Sequence, residues 1–243
     1  MFNTIGSSNQ MFPMLASEGG VAFLVVLGII AVIGIGVLAY RARQAQIRAL
    51  TAWANRHGCR YQNIKDRSVD DRYPEFGCFH QGHSRYASDP ITGEWNGRQI
   101  ELGKYHYTTG SGKNQTHHSF TYFVLRGDLP LQPLTIRPEN VLDKLAGVFG
   151  FDDIDFESAE FSKRFLVKAK DRKWAYDVLH TRAMEHLLDH RRSAIEFSGY
   201  DAMIHLSGRT LKLEGFEATI AILEQLLDML PAYVVEQQKG IGR

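Results

Sequence analysis

Residues 20–40 read GVAFLVVLGIIAVIGIGVLAY, a run without a single charged side chain. An α-helix rises about 1.5 Å per residue, so this run is long enough to cross the roughly 30 Å hydrocarbon core of a bilayer. A cleaved secretory signal would need a basic segment before a shorter apolar run, and neither is present. The run therefore predicts one transmembrane helix that anchors the chain in a membrane.

The charges on the two sides of this run differ. Residues 1–19 contain no lysine or arginine, whereas five arginines follow the run before the first acidic residue, Asp66. Segments rich in Lys and Arg stay on the cytoplasmic side of a membrane. We therefore expect a single-pass protein of the inner membrane, with its N-terminus outside and its C-terminal domain in the cytoplasm.

The arginines nearest the span also predict a contact with lipid. Arg41, Arg43 and Arg48 follow the apolar run directly, and a basic side chain near an anionic bilayer gains about 1 kcal/mol. We expect these three side chains at the membrane surface, so the lipid bilayer is the first predicted partner. The chain as a whole has 28 basic and 27 acidic residues, which does not favour a nucleic-acid partner, because such proteins concentrate positive charge on one face.

The sequence divides into five segments. Ile47, Leu50 and Trp53 recur at helical spacing, and Gly58 stands where a helix commonly ends, so the anchor helix should continue past the membrane. The predicted segments are a short extracytoplasmic tail (1–19), the transmembrane helix (20–40), a basic juxtamembrane helix (41–57), a cytoplasmic domain (58–235) and a flexible tail (236–243).

The pattern of the large segment predicts an α+β fold. Aromatic and β-branched residues alternate with polar ones, interrupted by turn residues, as is typical of antiparallel strands. The predicted strands are 73–80, 84–88, 98–108, 117–126, 133–136, 165–169, 193–199, 202–207 and 210–214, and the predicted helices begin at Pro138, Asp171 and Phe216. We expect a mostly antiparallel sheet flanked by helices.

The last predicted helix is clearly amphipathic. Leu223 and Leu227 belong to one apolar stripe, and Glu224 lies on the opposite face. An amphipathic helix buries such a stripe against a sheet, so Leu223→Asp and Leu227→Asp should unfold the domain. Glu224→Ala should change its stability by less than about 0.5 kcal/mol.

Two groups of side chains have the chemistry of zinc ligands. Cys59, Cys78, His80 and His83 offer thiolate and imidazole, and Cys78 and His80 would share one face of a strand. His186 and His190 lie four residues apart on a predicted helix, but without the glutamate of the hydrolase motif. Neither group has regularly spaced, complete ligands, so we expect no metal and no other cofactor. In the cytoplasm, the two cysteines should be free thiols.

Two stretches resemble a known family. They read DPITGEWNGRQIEL (89–102) and FESAEFSKRFLVKAKDRKWAYDVLHTRAMEHLLDHRRSAIEFSGYDAMIHL (156–206). Over about residues 70–210 the chain is similar to an uncharacterised bacterial family of membrane-anchored proteins with a domain of unknown function. The resemblance implies a domain on the cytoplasmic side and carries no catalytic residue across.

No combination of residues in the sequence indicates catalysis, so we expect no catalytic residues. The favoured hypothesis is a membrane-tethered, non-catalytic α+β module that contacts a protein partner or the membrane surface. The alternative is a membrane-anchored, metal-dependent zinc enzyme or metal-binding domain that uses the histidines above.

The arginine asymmetry predicts the topology directly. In intact bacteria, a tag after Arg243 should be shielded from external protease, and a tag before Phe2 should be cleaved, because the basic flank stays inside. Immunoblots before and after cell lysis measure both tags. Ready cleavage of the C-terminal tag in unlysed cells would contradict the predicted orientation.

Overall fold

The computed structural model describes residues 18–139, 153–206 and 212–241. The predicted tail 1–19 falls almost entirely outside the described residues. So do nearly all of the helix predicted to begin at Pro138 and much of the strand predicted at 210–214. The described chain divides into two compact units, residues 1–48 and 49–243, and each is considered by itself.

The described part of the first unit is the apolar portion of one long helix. Helix α1 spans Glu18–Arg56, and its apolar part has a mean hydropathy of 3.0 with none of its residues buried. Within the part of the chain that the structure describes, it is the single straight helix long and apolar enough to cross a membrane. This confirms the predicted apolar N-terminal helix and its continuation beyond residue 40.

The second unit is an antiparallel sheet flanked by helices, which confirms the predicted α+β class. Its described strands are β1 (Arg60–Tyr61), β2 (Lys65–Asp66), β3 (His83–Trp95), β4 (Arg98–Thr109), β5 (Thr116–Pro138), β6 (Phe165–Ala169) and β7 (Ser193–Leu206). Strands β1, β3, β4, β5 and β6 lie in this order, with β2 paired to β3 and β7 paired to β5. The described helices of this unit, after the end of α1, are α2 (Val69–Arg72), α3 (Ala159–Arg164), α4 (Arg172–Val178), α5 (Thr181–Asp189), α6 (Phe216–Asp228) and α7 (Ala232–Ile241).

Strand β7 bends sharply near Gly199. Side-chain atoms of Glu196 and His205 lie within 4.8 Å of each other, although nine residues of straight strand would separate them by about 30 Å. Gly199 has a φ of 60°, a backbone conformation that glycine adopts at little cost. The strand therefore has two segments, 193–198 and 201–206, and both pair antiparallel with β5, whose pairing register shifts between Arg126 and Leu134.

Helices cover the first face of this sheet. Ile100, Phe123 and Ile204 belong to one large core that includes the final turns of α1 and residues from α3 to α7. Trp53 of α1 stacks on Trp95 of β3 with ring centroids 5.9 Å apart. The end of α1 is thus part of the core of the second unit, as the helical spacing in residues 47–57 indicates.

A short segment covers the second face. Residues 69–80 contribute Val69, Phe76, Cys78 and Phe79 to a separate core, packed on tyrosines and phenylalanines of β4 and β5. Alternate residues of a strand point to opposite faces, so Tyr122 enters this second core while Phe123 enters the first. The sheet is therefore buried on both sides.

Three local predictions were wrong. Residues 77–80 form a 3-10 helix rather than a strand, because Phe76, Cys78 and Phe79 are all buried as a cap on the sheet. The single helix predicted from Asp171 is two helices, since α4 ends at Val178 and α5 begins at Thr181. Most of the tail predicted at 236–243 belongs to α7, in which Gln238 is buried.

Helix α6 confirms the apolar stripe but corrects its polar face. Leu223 is completely buried, whereas Leu227 is only half-buried. Glu224 does not face solvent as predicted: its carboxylate accepts hydrogen bonds from Trp95 Nε1 and Asn96 Nδ2, each at 3.0 Å. The turn between β3 and β4 supplies these donors, and the spacing within α6 could not indicate them.

These contacts change the expected effects of substitution. Leu223→Asp should unfold the protein, because an unpaired buried carboxylate costs several kcal/mol against a total of about 5–15 kcal/mol. Glu224→Ala should cost about 1.5–3 kcal/mol, since hydrogen bonds to a charged group are lost. Urea unfolding of the detergent-purified chain, followed by tryptophan fluorescence, measures both.

Glu236→Ala is the matched control for this experiment, because the Glu236 side chain is 78% exposed. It should change the free energy of unfolding by less than about 0.5 kcal/mol. Equal losses for the Glu224 and Glu236 variants would show that the contacts with Trp95 and Asn96 do not stabilise the fold.

Candidate functional site

The structure separates the two cysteines of the first predicted metal group. Cys59 belongs to the core on the first face of the sheet, and Cys78 belongs to the core on the second face. Both are buried, free thiols, so they form neither a shared metal site nor a disulfide. Their separation follows from the double burial of the sheet.

The two histidines of that group lie on the surface with other partners. The Nε2 of His80 is 2.8 Å from the carbonyl oxygen of Pro74. The Nε2 of His83 is 3.0 Å from the carbonyl oxygen of Gly110. The predicted set of Cys59, Cys78, His80 and His83 is therefore not assembled.

The second histidine pair is brought together, but one of its members is already engaged. The rings of His186 and His190 are 4.9 Å apart, and the Nε2 of His186 is 3.0 Å from the carbonyl oxygen of Ile222 on α6. Burial and the neighbouring His186 lower the pKa of His190. His190 is the C-terminal cap of α5, and His186 attaches this helix to α6.

The arginines predicted at the membrane surface all lie on α1. Arg41 and Arg48 are exposed, and Arg43 has a Nη1 atom 3.4 Å from Gln46 Oε1. Exposed cations beside an apolar helix remain available to anionic headgroups.

A buried carboxylate organises the polar side chains of the second face. Glu101 is 9% exposed and accepts hydrogen bonds from Arg72 Nη2 at 2.7 Å and from Tyr122 Oη at 2.9 Å. Tyr73 Oη donates to the same carboxylate at 3.1 Å. Burial and the adjacent Glu101 raise the pKa of both tyrosines, so they remain neutral donors. This network attaches the segment 69–80 to strands β4 and β5.

Gly103 makes room for this network. A Cβ atom at this position would lie 3.1 Å from the Tyr122 hydroxyl, closer than an ordinary van der Waals contact. Tyr122 is paired with Gly103 across β4 and β5, so its ring lies over the glycine and its hydroxyl reaches Glu101. The sequence shows a glycine in a strand, but not which ring lies over it.

Beneath the segment 69–80, a second group of polar side chains forms a compact cluster. One ligand atom each from Cys78, Glu196 and His205 lies within 4.8 Å of the other two, and all three residues are buried. The Oε2 of Glu196 accepts a hydrogen bond from the backbone N–H of Gly77 at 3.0 Å. Cys78 Sγ is 3.6 Å from Met203 Sδ. We call these three residues, Cys78, Glu196 and His205, the β7 cluster.

Burial dominates the electrostatics of the β7 cluster. It raises the pKa of Glu196 to about 7, although hydrogen bonds from Gly77 and Cys78 and the charge of Arg137 act in the opposite direction. Burial lowers the pKa of His205 to about 4 and raises the pKa of the Cys78 thiol. In a dry site of this kind, the uncharged form of each side chain is favoured.

The sequence offered no local signal for the β7 cluster. Strands were predicted at 193–199 and 202–207, which put Glu196 and His205 on different strands. In the structure both lie on one bent strand, with Glu196 paired to Thr135 of β5 and His205 paired to Tyr122. Their approach to Cys78 depends on the 3-10 helix, which the alternating pattern of residues 73–80 concealed.

One cavity in the described part of the second unit is a surface groove. It has a volume of about 670 Å³ and lies between the β3–β4 turn, the bend of β5, the bend of β7, and helices α6 and α7. We call it the α6 groove. Its walls combine apolar Leu129 and Leu227 with charged Arg98, Asp128 and Lys239. Tyr200 projects at its edge and is 42% exposed.

No protein-family model matches this chain, and no curated protein matches its sequence. Its fold is similar to that of the mycobacterial trehalose monomycolate transport factor A, TtfA, in a crystal structure. The TM-score is 0.54 and the sequence identity 12%, over 76% of this chain and 95% of that chain. At this identity, the similarity shows a shared fold.

The Glu101 network predicts a large effect of losing its cation. Arg72→Met should reduce the free energy of unfolding by about 3 kcal/mol, because it leaves a buried carboxylate without its charge partner. This value lies at the low end for a buried pair, since the Arg72 side chain is 39% exposed. Urea unfolding of the detergent-purified protein provides the measurement.

Arg191→Met is the matched control. Arg191 pairs with Glu160 at 3.4 Å, with both side chains about half exposed, and such surface pairs contribute at most about 1 kcal/mol. If Arg72→Met and Arg191→Met have the same effect, Glu101 is not the centre of the network.

Proposed function

We propose that this protein is a membrane-tethered, non-catalytic module whose α+β domain faces the cytoplasm and binds a segment of another membrane protein. The observation that supports this most strongly is the charge-free run 20–40 of helix α1, whose apolar window is exposed and which is followed directly by arginines on the same helix. Such a helix confines the domain to the plane of the inner membrane, where other membrane proteins are its most concentrated neighbours. The resemblance of residues 70–210 to a membrane-anchored bacterial family belongs to the same proposal.

The α6 groove provides a binding surface with suitable chemistry. Its apolar side chains, Leu129 and Leu227, can take up one or two apolar side chains of a peptide, and the charged groups around them can pair with the flanking residues. Exposed tyrosine is enriched in protein interfaces, because its ring gives a large contact area at a low entropic cost. Tyr200 is such an exposed tyrosine, and it lines the α6 groove.

The structural neighbour supports the same class of function. TtfA is described as a transport factor, which is compatible with a membrane-associated, non-catalytic module. The shared fold at 12% identity does not extend to a cargo. We therefore assign to this chain the role of a binding module and leave transport out of the proposal.

Site-specific photo-crosslinking tests this function. A benzophenone amino acid in place of Tyr200 should give a discrete adduct in membranes of intact cells, and the Leu227→Gln change should abolish it without loss of expression. Mass spectrometry should identify a different membrane protein in the adduct, and a tag on that protein should recover this chain in return.

Tyr176 gives the matched control, because it is 43% exposed and lies outside the α6 groove. The same crosslinker at position 176 should not produce the adduct. Equal adducts from both positions, no adduct from Tyr200, or a Tyr200 adduct that contains only a second copy of this chain would each contradict the proposed docking surface.

A further inference from the structure

We propose that the β7 cluster is a zinc site, in which Cys78 Sγ, a carboxylate oxygen of Glu196 and a ring nitrogen of His205 bind Zn²⁺. The sequence led us to expect no metal because neither predicted histidine group had complete, regularly spaced ligands, and Glu196 and His205 belonged to neither group. The bend of β7 near Gly199 brings both residues to the 3-10 helix that contains Cys78.

The strongest indication of a missing ligand is His205. Its Nδ1 atom is buried and has no hydrogen-bond partner among the described residues, and the whole residue is only 6% exposed. An unpaired buried polar atom is costly, and native proteins rarely retain one without a function. Cys78 and Glu196 are hydrogen-bonded to each other. That contact provides no partner for the buried Nδ1 of His205.

The dimensions of the β7 cluster suit a metal ion. Zinc bonds of about 2.0–2.3 Å place neighbouring ligand atoms of a tetrahedral site about 3.4–3.6 Å apart. The three ligand atoms lie within 4.8 Å of one another, so side-chain movements of about 1 Å close the site. When zinc binds, the Cys78 thiol releases its proton to solvent and the thiolate binds the metal.

A second cavity gives the metal a route to His205. This cavity has a volume of about 270 Å³ and is lined by His205 together with Gln81, Tyr107, His117, His118, Ser119 and Phe120. His118 is already hydrogen-bonded to Thr109 Oγ1 at 2.8 Å, so His205 is the more available histidine. Zinc sites with three protein ligands hold water in the fourth position.

The donor set distinguishes zinc from copper. Thiolate, imidazole and carboxylate are all established zinc ligands, whereas Cu(I) prefers sulfur and nitrogen and has little affinity for a carboxylate. Met203 Sδ lies next to Cys78 Sγ and would be the fourth ligand if the ion were copper. Glu196 is the residue that favours zinc.

Metal titration of the full-length protein in detergent tests the site. After chelator treatment under reducing conditions, the protein should bind one equivalent of Zn²⁺ in competition with a chromophoric chelator, and zinc should raise its Tm. Cobalt in place of zinc should give a thiolate-to-metal charge-transfer band. Cys78→Ser and His205→Gln should each weaken zinc binding at least about 100-fold, since loss of even an outer partner costs 10–100-fold.

Cys59→Ser and His118→Gln are the matched controls, because both residues lie outside the β7 cluster. Both should keep the affinity of the unmodified chain. If Cys78→Ser fails to fold, His205→Gln and the cobalt spectrum decide the question. The proposal is overturned if the protein binds no zinc, if His205→Gln still binds zinc, or if Cys59→Ser loses zinc equally. A preference for Cu(I) that depends on Met203 would also overturn it.

Discussion

Burial of the sheet on both faces is the constraint on which the rest of this structure depends. Helices cover the first face, and the segment 69–80 is the only described cover of the second. Because alternate residues of β4, β5 and β7 point to opposite sides, the polar residues that lie beneath this cover are removed from water, Glu101 and Glu196 among them. Such residues need partners, and Glu101 obtains them from Arg72, Tyr73 and Tyr122. The cover and the polar network therefore stabilise each other.

The same constraint explains how much the sequence could predict. The charge-free run at 20–40, the alternation in β4 and the stripe of α6 are local patterns, and the structure confirms them. The position of residues 77–80 is decided by a surface distant in sequence, so the alternation that suggested a strand was misleading. Glu224 was wrongly predicted to face solvent for a similar reason, because Trp95 and Asn96, which donate hydrogen bonds to it, belong to the distant β3–β4 turn.

Function was less predictable than fold, because candidate sites depend on non-local contacts. The sequence identified Cys78 as a possible ligand but grouped it with Cys59, which lies in the opposite core. Glu196 and His205 had no motif that singled them out, and the bend of β7 brings them both to Cys78. The α6 groove likewise combines residues from five separate parts of the chain. The membrane anchor was predictable because its signal is contained in one continuous segment.

The bend at Gly199 also limits where insertions and deletions can be accommodated in this chain. On either side of the bend, Phe197 and Ala202 point into the first core, whereas Glu196 and Met203 face the other way. Deletion of one residue from either arm would exchange apolar and polar side chains between the two faces of the sheet. Insertions and deletions should therefore be rare among natural variants within 193–206, and more frequent in exposed turns such as 111–115. Alignments of related sequences should show this as a gap-free block around the bend.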